Sequence, residues 1–395
     1  MRVLTVGNMY PPNHLGGYEL IWESAVARLR AGGHEVRVLT TGFRRPEAGV
    51  DADPEVRREL RWYWRDHAWP RHGWRARLDL ERHNGEVFDR NLREFRPESV
   101  AWTSMGGMSL SLLERARRGG LPAMAMVCDE WMLYSADRDA WVAGFRGALR
   151  PFAPLAGRLT GVPARVDLAS AGPALFMSEV LRSRAAAAWD LPTSRVVHLG
   201  ADRAAFHEAE ERPWSWRLLY AGRIDPRKGI DTAIEALALL PAKATLRVFG
   251  GGDEEHLREL RDLAAARGVA ARVEFAAGGR EELAAEYAAA DVLLFPVRWR
   301  EPWGLVPLEA MAVGTPVIAT GEGGSGEYLR DAENAILFES GDAAALAAAV
   351  RRLAEEPRLR ARLRAGGLET AARIDDRAFY DAVEELLLEA VEAGT

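Results

Sequence analysis

This chain is poor in several things, and each scarcity narrows what it can be. It has one cysteine, Cys128, which excludes internal disulfides and leaves no cysteine cluster for zinc. It has no apolar run near the roughly 18 residues that a membrane-spanning helix needs. It is almost without lysine: among 52 basic residues only Lys228 and Lys243 are lysines. Arginine carries the generic surface charge, so Lys228 stands out, whereas Lys243, in the loop-like PAKAT, reads as chance. Positive charge is in deficit, with a net charge of -6, which argues against a nucleic-acid partner because phosphate backbones demand a basic face. The opening MRVLTVGNMYPP lacks the charged lead and small-residue cleavage site of a signal peptide. It reads as a first strand, and with the lone cysteine it sets the expectation of a cytoplasmic protein.

What is present fits two domains. At 395 residues the chain exceeds the length at which one core usually keeps growing, so units of under about 200 residues each are expected. Short Val/Leu-rich runs alternate with amphipathic stretches, the pattern of parallel sheets covered by helices. Strands are expected at 2–7, 35–40, 99–103, 123–127, 174–178 and 195–199, then at 217–221, 245–249, 272–275, 292–296, 316–320 and 335–338. Each half reads as one doubly wound, Rossmann-like α/β domain. The polar, aperiodic segment 200–214 is the expected hinge, dividing a first domain, 1–203, from a second, 204–376. The amphipathic stretch Phe379 to Val391 follows an Arg/Asp-rich turn and is expected to be a terminal helix, about 377–395, joining the first domain across the junction.

Three constellations carry chemistry. In the first, a strand, a loop with Gly16 and Gly17, and a helix with Ile21, Ala25 and Leu29 on one face follow one another. Open α/β sheets bind ligands at such strand ends, and a helix N-terminus favours an anion, although a plain turn before a helix has the same look. In the second, LLYAGRIDPRKGID, Arg223 leaves a strand tip and Lys228 follows five residues later, so two cations are aimed at one spot. That suits a diphosphate that gains charge as its bond to a sugar breaks; a solvated turn is the alternative. In the third, Glu301 and Glu309 stand eight apart (309 − 301) in EPWGLVPLEAMAVGTPVIA. Gly304 precedes the helix, and the amides of Leu305 and Val306 lie at its N-terminus, ready for phosphate oxygens. Carboxylates beside a diphosphate would repel it, so they suit neutral hydroxyls of sugar and ribose.

The run EPWGLVPLEAMAVGTPVIA resembles the Glu-x7-Glu motif of retaining GT-B glycosyltransferases of sequence family four, the group 1 type, and AGRIDPRKGID resembles their phosphate-binding loop. GGYE, MSEVLRSRA, VVHLGADRAAF, VFGGGDE, AADVLLFPV and GGSGEYL extend the resemblance over nearly the whole chain. It implies two Rossmann-like domains facing a central cleft, and a nucleotide diphosphate sugar as co-substrate with neither cofactor nor metal. Arg223 and Lys228 would hold the diphosphate. Glu301 would meet the sugar, Gly304, Leu305 and Val306 the phosphate or sugar, and Glu309 the ribose, with Gly16 and Gly17 closing from the first domain. The acceptor would be a hydroxyl on a glycan, a lipid-linked molecule or a small molecule, with His14, Tyr18, Glu130 and Trp131 as candidate contacts.

The chain departs from the family pattern twice. Where a histidine commonly ends the strand before the cleft, AMVCDEWML has Cys128, and Asp129 or Glu130 is expected to take over the polar contact. Leu199 replaces a common asparagine. The pairs Asp51/Asp53 and Asp137/Asp139 match a short acidic metal pattern but follow no convincing strand and read as solvated charges. Between Arg61 and Arg77 the sequence RWYWRDHAWPRHGWRAR holds Trp62, Trp64, Trp69 and Trp74; packing is its first reading, acceptor contact the second and peripheral membrane contact the third. A sugar-nucleotide epimerase or hydrolase on the same architecture, and a non-catalytic nucleotide-sugar binding protein, are the alternatives for function.

Overall fold

The computed structural model describes residues 1–45, 49, 53–65, 68–191 and 193–394. Its chain divides into two units, Met1–Val197 with the C-terminal stretch from Ala378, and His198–Arg377. The break thus falls between Val197 and His198, and the polar segment 200–214 lies wholly in the second unit.

The first unit is built on β1 (Arg2–Val6), β2 (Glu35–Thr41), β3 (Val56–Leu60), β4 (Ser99–Trp102), β5 (Ala123–Val127), β6 (Ala174–Phe176) and β7 (Ser194–Val196). They form one sheet in the order β3-β2-β1-β4-β5-β6-β7, with every pairing parallel. Strands covered by helices on both faces read as continuous apolar runs, and Val3, Leu4 and Val6 of β1 have no exposed surface. The helix Gly17–Ala31 packs through Ile21, Trp22, Ala25, Val26 and Leu29 and stops where the Gly32 amide bonds to Arg28 O. Among the strands, β3 (VRREL) was not expected: it is a half-buried edge strand, and an edge exposed to water needs no apolar run. The strand expected at 195–199 ends early, because Leu199 turns into the second unit, where its carbonyl accepts the Trp303 indole N–H at 2.8 Å.

The second unit carries β8 (Arg217–Ala221), β9 (Thr245–Phe249), β10 (Val273–Ala276), β11 (Val292–Phe295), β12 (Val317–Ala319) and β13 (Ile336–Leu337). They are ordered β10-β9-β8-β11-β12-β13 and paired in parallel. The chain proceeds from β8 outward through β9 and β10, then returns to β11 beside β8 and continues the other way. The loops leaving β8 and β11 therefore diverge at their carboxyl ends, which is the switch point where open α/β sheets bind ligands. The first unit has its own switch point between β1 and β4.

The helix Asp376–Gly394 returns the chain to the first unit. Phe379, Val383, Leu386, Leu387 and Ala390 are buried at the spacing of one helical face. Glu384 meets His34 Nε2 at 2.8 Å, and Glu385 and Glu389 meet Arg195 at 2.7 and 2.9 Å. Among the described residues no helix is long and apolar enough to cross a membrane. Because Leu387 has no exposed surface, Leu387→Ala is expected to cost about 2–5 kcal/mol. Urea denaturation measures this, and a loss below about 1 kcal/mol would show that the site collapses freely around the missing atoms.

Candidate functional site

The β8 loop is fastened to its neighbours before it presents any side chain. The Gly222 amide bonds to Phe249 O at 3.0 Å and the Ile224 amide to Gly251 O at 2.8 Å, tying the loop after β8 to the one after β9. Asp225 then caps a short turn, Pro226–Lys228, by accepting from the Arg227 amide at 3.0 Å. Burial works to raise the Asp225 carboxyl, but hydrogen bonds from Arg227 and the charges of Arg227 and Arg223 overcome it and hold it below the usual range. Arg223 itself is exposed, 3.3 Å from Asp225. Gly229 comes next at φ 69°, where a Cβ would stand 1.9 Å from Pro296 O. A side chain there would push the loop off the end of β11.

That contact brings the two loops together. Lys228 Nζ lies 2.6 Å from Glu301 Oε2, with the two side chains only 14% and 13% exposed. The same carboxylate oxygen accepts the Trp299 indole N–H at 2.8 Å. Arg227 stacks 4.4 Å above the Trp299 ring and Lys228 stands 5.5 Å from it. The backbone of Glu301 pairs with Gly323, and its carbonyl accepts the Gly324 amide at 2.7 Å. The chain then turns at Gly304, φ 89°, into the helix Leu305–Val313. Leu305 and Val306 are half-buried in its first turn, where amides have no partner within a helix and the dipole favours an anion.

Glu309 sits one turn further on, 8% exposed, with Tyr287 donating its hydroxyl to Oε2 at 2.9 Å. Burial raises its carboxyl above the ordinary range, against the lowering effect of Tyr287 and Arg280. Arg280 lies 3.6 Å from Asp202. The second unit thus gathers Arg223, Lys228, Glu301, Gly304, Leu305, Val306 and Glu309 around the β8 and β11 strand ends.

The candidates of the first unit fare unevenly. The Gly16 amide, expected to meet a phosphate, already donates to the Glu19 carboxylate at 3.1 Å. Gly17, the first residue of its helix, is exposed. Tyr18 donates its hydroxyl to Met126 O at 2.9 Å, and His14 is half-buried with Nδ1 3.3 Å from Pro12 O. Trp131 needs correction as an acceptor contact: its ring has no exposed surface and so offers no face. Glu130 is paired with Arg184. Cys128 is buried, and burial followed by the charge of Asp129 pushes its thiol up, so it stays protonated and serves as packing.

Asp129 is different. It accepts the Trp131 amide at 3.1 Å and lies 3.3 Å from Ser104 Oγ and 3.4 Å from Tyr134 Oη. Burial pushes its carboxyl up to about 6, even against those hydrogen bonds. Ser104 also accepts from Asn8 at 3.1 Å, so the β1, β4 and β5 strand ends share one polar network.

Of the acidic residues expected to be solvated, Asp137 is exposed and Asp53 half-buried, whereas Asp139 is not solvated. Asp139 is fully buried and accepts from the amides of Leu110, Trp141 and Val142, Asp137 pairs with Arg146, and Asp53 pairs with Arg30 at 2.6 Å. Asp51 lies outside the described residues, as do Asp66 and His67 of the Trp/Arg segment. In that segment Trp62 and Trp64 pack on each other at 4.8 Å and on Phe43, Trp69 lies under Arg138 at 5.1 Å, and Trp74 meets Trp141 and Phe145. Sequence reasoning missed Trp299, Tyr287 and Tyr328, the last of which donates its hydroxyl to Gly304 O, as parts of the site. Trp299 could have been noticed two residues before Glu301, and Tyr328 lies within the run GGSGEYL, but nothing next to Tyr287 marks it.

Residues 202–370 match the family model of glycosyl transferases group 1. The chain is 36% identical over 209 residues to a D-inositol 3-phosphate glycosyltransferase of Thermomonospora curvata, covering 50% of this chain and 47% of that protein. It is 37% identical over 196 residues to the lipopolysaccharide core biosynthesis glycosyltransferase LpsE of Rhizobium meliloti, covering 49% and 55%. The chain therefore spans about half the length of the curated relatives it matches. In fold it resembles a sucrose-phosphate synthase of Thermosynechococcus elongatus, with a TM-score of 0.76 at 20% identity over 100% of both chains. The second unit carries the sequence pattern of the glycosyl transferases group 1, and the two Rossmann-like units have the fold of glycosyltransferases.

The Asp129 carboxyl, at about 6 in the fold against about 3.9 in an unfolded chain, makes stability depend on pH. The folded state holds the proton more tightly, so this contribution is full below about pH 4 and is lost as pH rises through about 6. Asp129→Asn is expected to gain up to about 2 kcal/mol relative to the parent on going from pH 4.5 to 7.5, and less to the extent that solvent screens the partly exposed carboxyl. Urea titrations of both proteins at the two pH values measure it; an equal difference at both would mean that the carboxylate is already ionised throughout.

Proposed function

We propose that the protein is a glycosyltransferase that moves a sugar, with retention of configuration, from a nucleotide diphosphate sugar to a hydroxyl acceptor. The observation that carries this reading is the convergence of Arg223, Lys228, Glu301, Glu309 and the N-terminus of the helix Leu305–Val313 at the switch point of one sheet. The match of residues 202–370 to glycosyl transferases group 1 supports it, as do the names of the two curated relatives. Those names specify different products, so no acceptor is carried over from them.

In the free site Lys228 and Glu301 neutralise each other. On donor binding Lys228 transfers its contact to a diphosphate oxygen, which leaves Glu301 to accept hydrogen bonds from the hydroxyls of the sugar. Arg223, already exposed at the strand tip, and the amides of Leu305 and Val306 take the other phosphate oxygens. Glu309, oriented by Tyr287, receives the ribose hydroxyls. As the bond from the sugar C1 to the diphosphate breaks, its electron pair stays on the leaving oxygen, where fixed cations and amides stabilise it without reorganising. The acceptor oxygen bonds to C1 on the face that the diphosphate leaves, and its proton passes to the leaving diphosphate. Arg223 and Lys228 supply the countercharge, so the reading needs neither metal nor protein nucleophile. Within the first unit, Asp129 is the group assigned to a polar contact with an acceptor hydroxyl. The Gly16 amide, engaged by Glu19, is given no phosphate role.

Arg223→Ala and Lys228→Ala are each expected to lower kcat by at least about 100-fold. Glu309→Ala is expected to weaken donor binding by about tenfold, the loss of one good hydrogen bond to a charged group. Turnover is followed as nucleoside diphosphate release with and without acceptor, and donor binding as a thermal shift across uridine, guanosine, adenosine and thymidine diphosphate sugars. Unimpaired turnover in all three variants would overturn the assignment of the site; acceptor-independent release at the full rate would overturn the transferase in favour of a hydrolase.

A further inference from the structure

The exposed apolar surface of this protein is concentrated. Of the seven large apolar side chains left exposed among the described residues, Leu149, Phe152, Leu155 and Leu159 lie within one short stretch of the first unit. That stretch is a single 3-10 segment, Gly147–Phe152, followed directly by the helix Ala153–Thr160. The spacing of three, three and four residues sets the four side chains on one side of it. A fifth exposed apolar side chain, Trp74, has its ring 5.2 Å from that of Phe145, two residues before the stretch.

The arrangement inverts what a helix on a soluble surface usually does. Only Ala153 of the helix is buried, and the segment is anchored behind by Val162 and Ala164, which are 2% and 3% exposed, and by the Trp141 indole N–H on Pro163 O at 3.1 Å. Small residues face inward while the large apolar ones face water. An apolar patch of this kind marks a surface that something else covers.

Charge identifies the cover. From residue 140 to residue 166 there is no acidic side chain, and four arginines, Arg146, Arg150, Arg158 and Arg165, are all exposed. Arg146 has a partner in Asp137. Beside Trp74, Arg75 is exposed and Arg77 lies 4.8 Å from the ring. This basic, apolar strip belongs to a chain of net charge -6, so it runs against the charge of its own protein. A second copy meeting the same face about a two-fold axis would set these arginines against themselves. An anionic lipid surface instead satisfies all of them at once, while the leucines and Phe152 enter the boundary between headgroups and acyl chains. We propose that the face made by Leu149, Phe152, Leu155, Leu159, Trp74 and the flanking arginines docks the first unit on an anionic bilayer. The proposal goes beyond the donor site and does not depend on its chemistry.

The test is sedimentation of the whole chain with vesicles of phosphatidylcholine alone or of phosphatidylcholine with phosphatidylglycerol. Binding to the anionic vesicles, weakened by salt and at least about tenfold above the neutral ones, is expected. The combined variant Leu149→Ser, Phe152→Ser, Leu155→Ser and Leu159→Ser, checked for an unchanged Tm, is expected to lose it. So is Arg150→Glu, Arg158→Glu and Arg165→Glu. A parent protein that ignores both kinds of vesicle, or an apolar variant that binds as the parent does, overturns the proposal. So does a parent that light scattering shows to be a dimer, that the apolar variant converts to a monomer and that does not sediment with lipid, because the face would then be an interface between copies.

Discussion

The loop that leaves β8 has to lie directly on the end of β11, because the sheet of the second unit places these strands side by side where the chain order reverses. Everything in the candidate site follows from how closely that can happen. Gly229 allows it: its α-carbon approaches Pro296 O so nearly that a Cβ would overlap the carbonyl, and its φ of 69° is one that glycine adopts without penalty. With the loop seated there, the Arg298 amide reaches Arg227 O at 2.8 Å and Lys228 meets Glu301. A lysine and a glutamate 73 residues apart in sequence are thereby set by backbone contacts, leaving their side chains to be rearranged by a ligand.

The electrostatics of that pair explain how a site for an anion can exist without destabilising the fold. An unpaired lysine at 14% exposure would lose hydration with nothing in return; Glu301 and the face of Trp299 supply the compensation. A diphosphate carries more charge than one carboxylate and can displace Glu301 from Lys228. The displaced carboxylate is not left without a donor, because the Trp299 indole N–H remains on the same oxygen. Pairing in the free state therefore limits the strain of waiting, and in the proposed reading an exchange of partners would tie sugar recognition to phosphate recognition.

Much of this was legible in the sequence, for identifiable reasons. The inner β-strands of the two sheets, such as β1, β8 and β11, are apolar because they are covered on both faces, and Gly, Pro and Lys228 mark the turns at their ends. The second unit's site was legible because its members lie in two short runs, each tied to one strand end. The first unit was not. Val56–Leu60 pairs at an edge and shows no apolar run. Asp139 looks like a solvated charge in sequence, yet three backbone amides enclose it. Trp131 looks like a ligand platform and is core. In each of these cases burial depends on what another segment brings, and a single sequence does not record that.

The three buried tyrosines of the second unit show the same limit from the other side. Tyr220 donates to Arg223 O at 2.7 Å, Tyr287 to Glu309 at 2.9 Å and Tyr328 to Gly304 O at 2.5 Å. All three rings are nearly or wholly buried, so burial raises each hydroxyl well above its ordinary pKa and keeps it a donor. A tyrosine spans the distance from the core to the strand end with a rigid ring and only two side-chain torsions, whereas a lysine or glutamine of similar reach would have several to fix. Each phenol therefore fixes one part of the site from beneath: the strand tip that carries Arg223, the carboxylate of Glu309, and the turn that starts the helix Leu305–Val313. The side chains proposed to meet a ligand can then be few, because the backbone that presents them is held from beneath by buried groups.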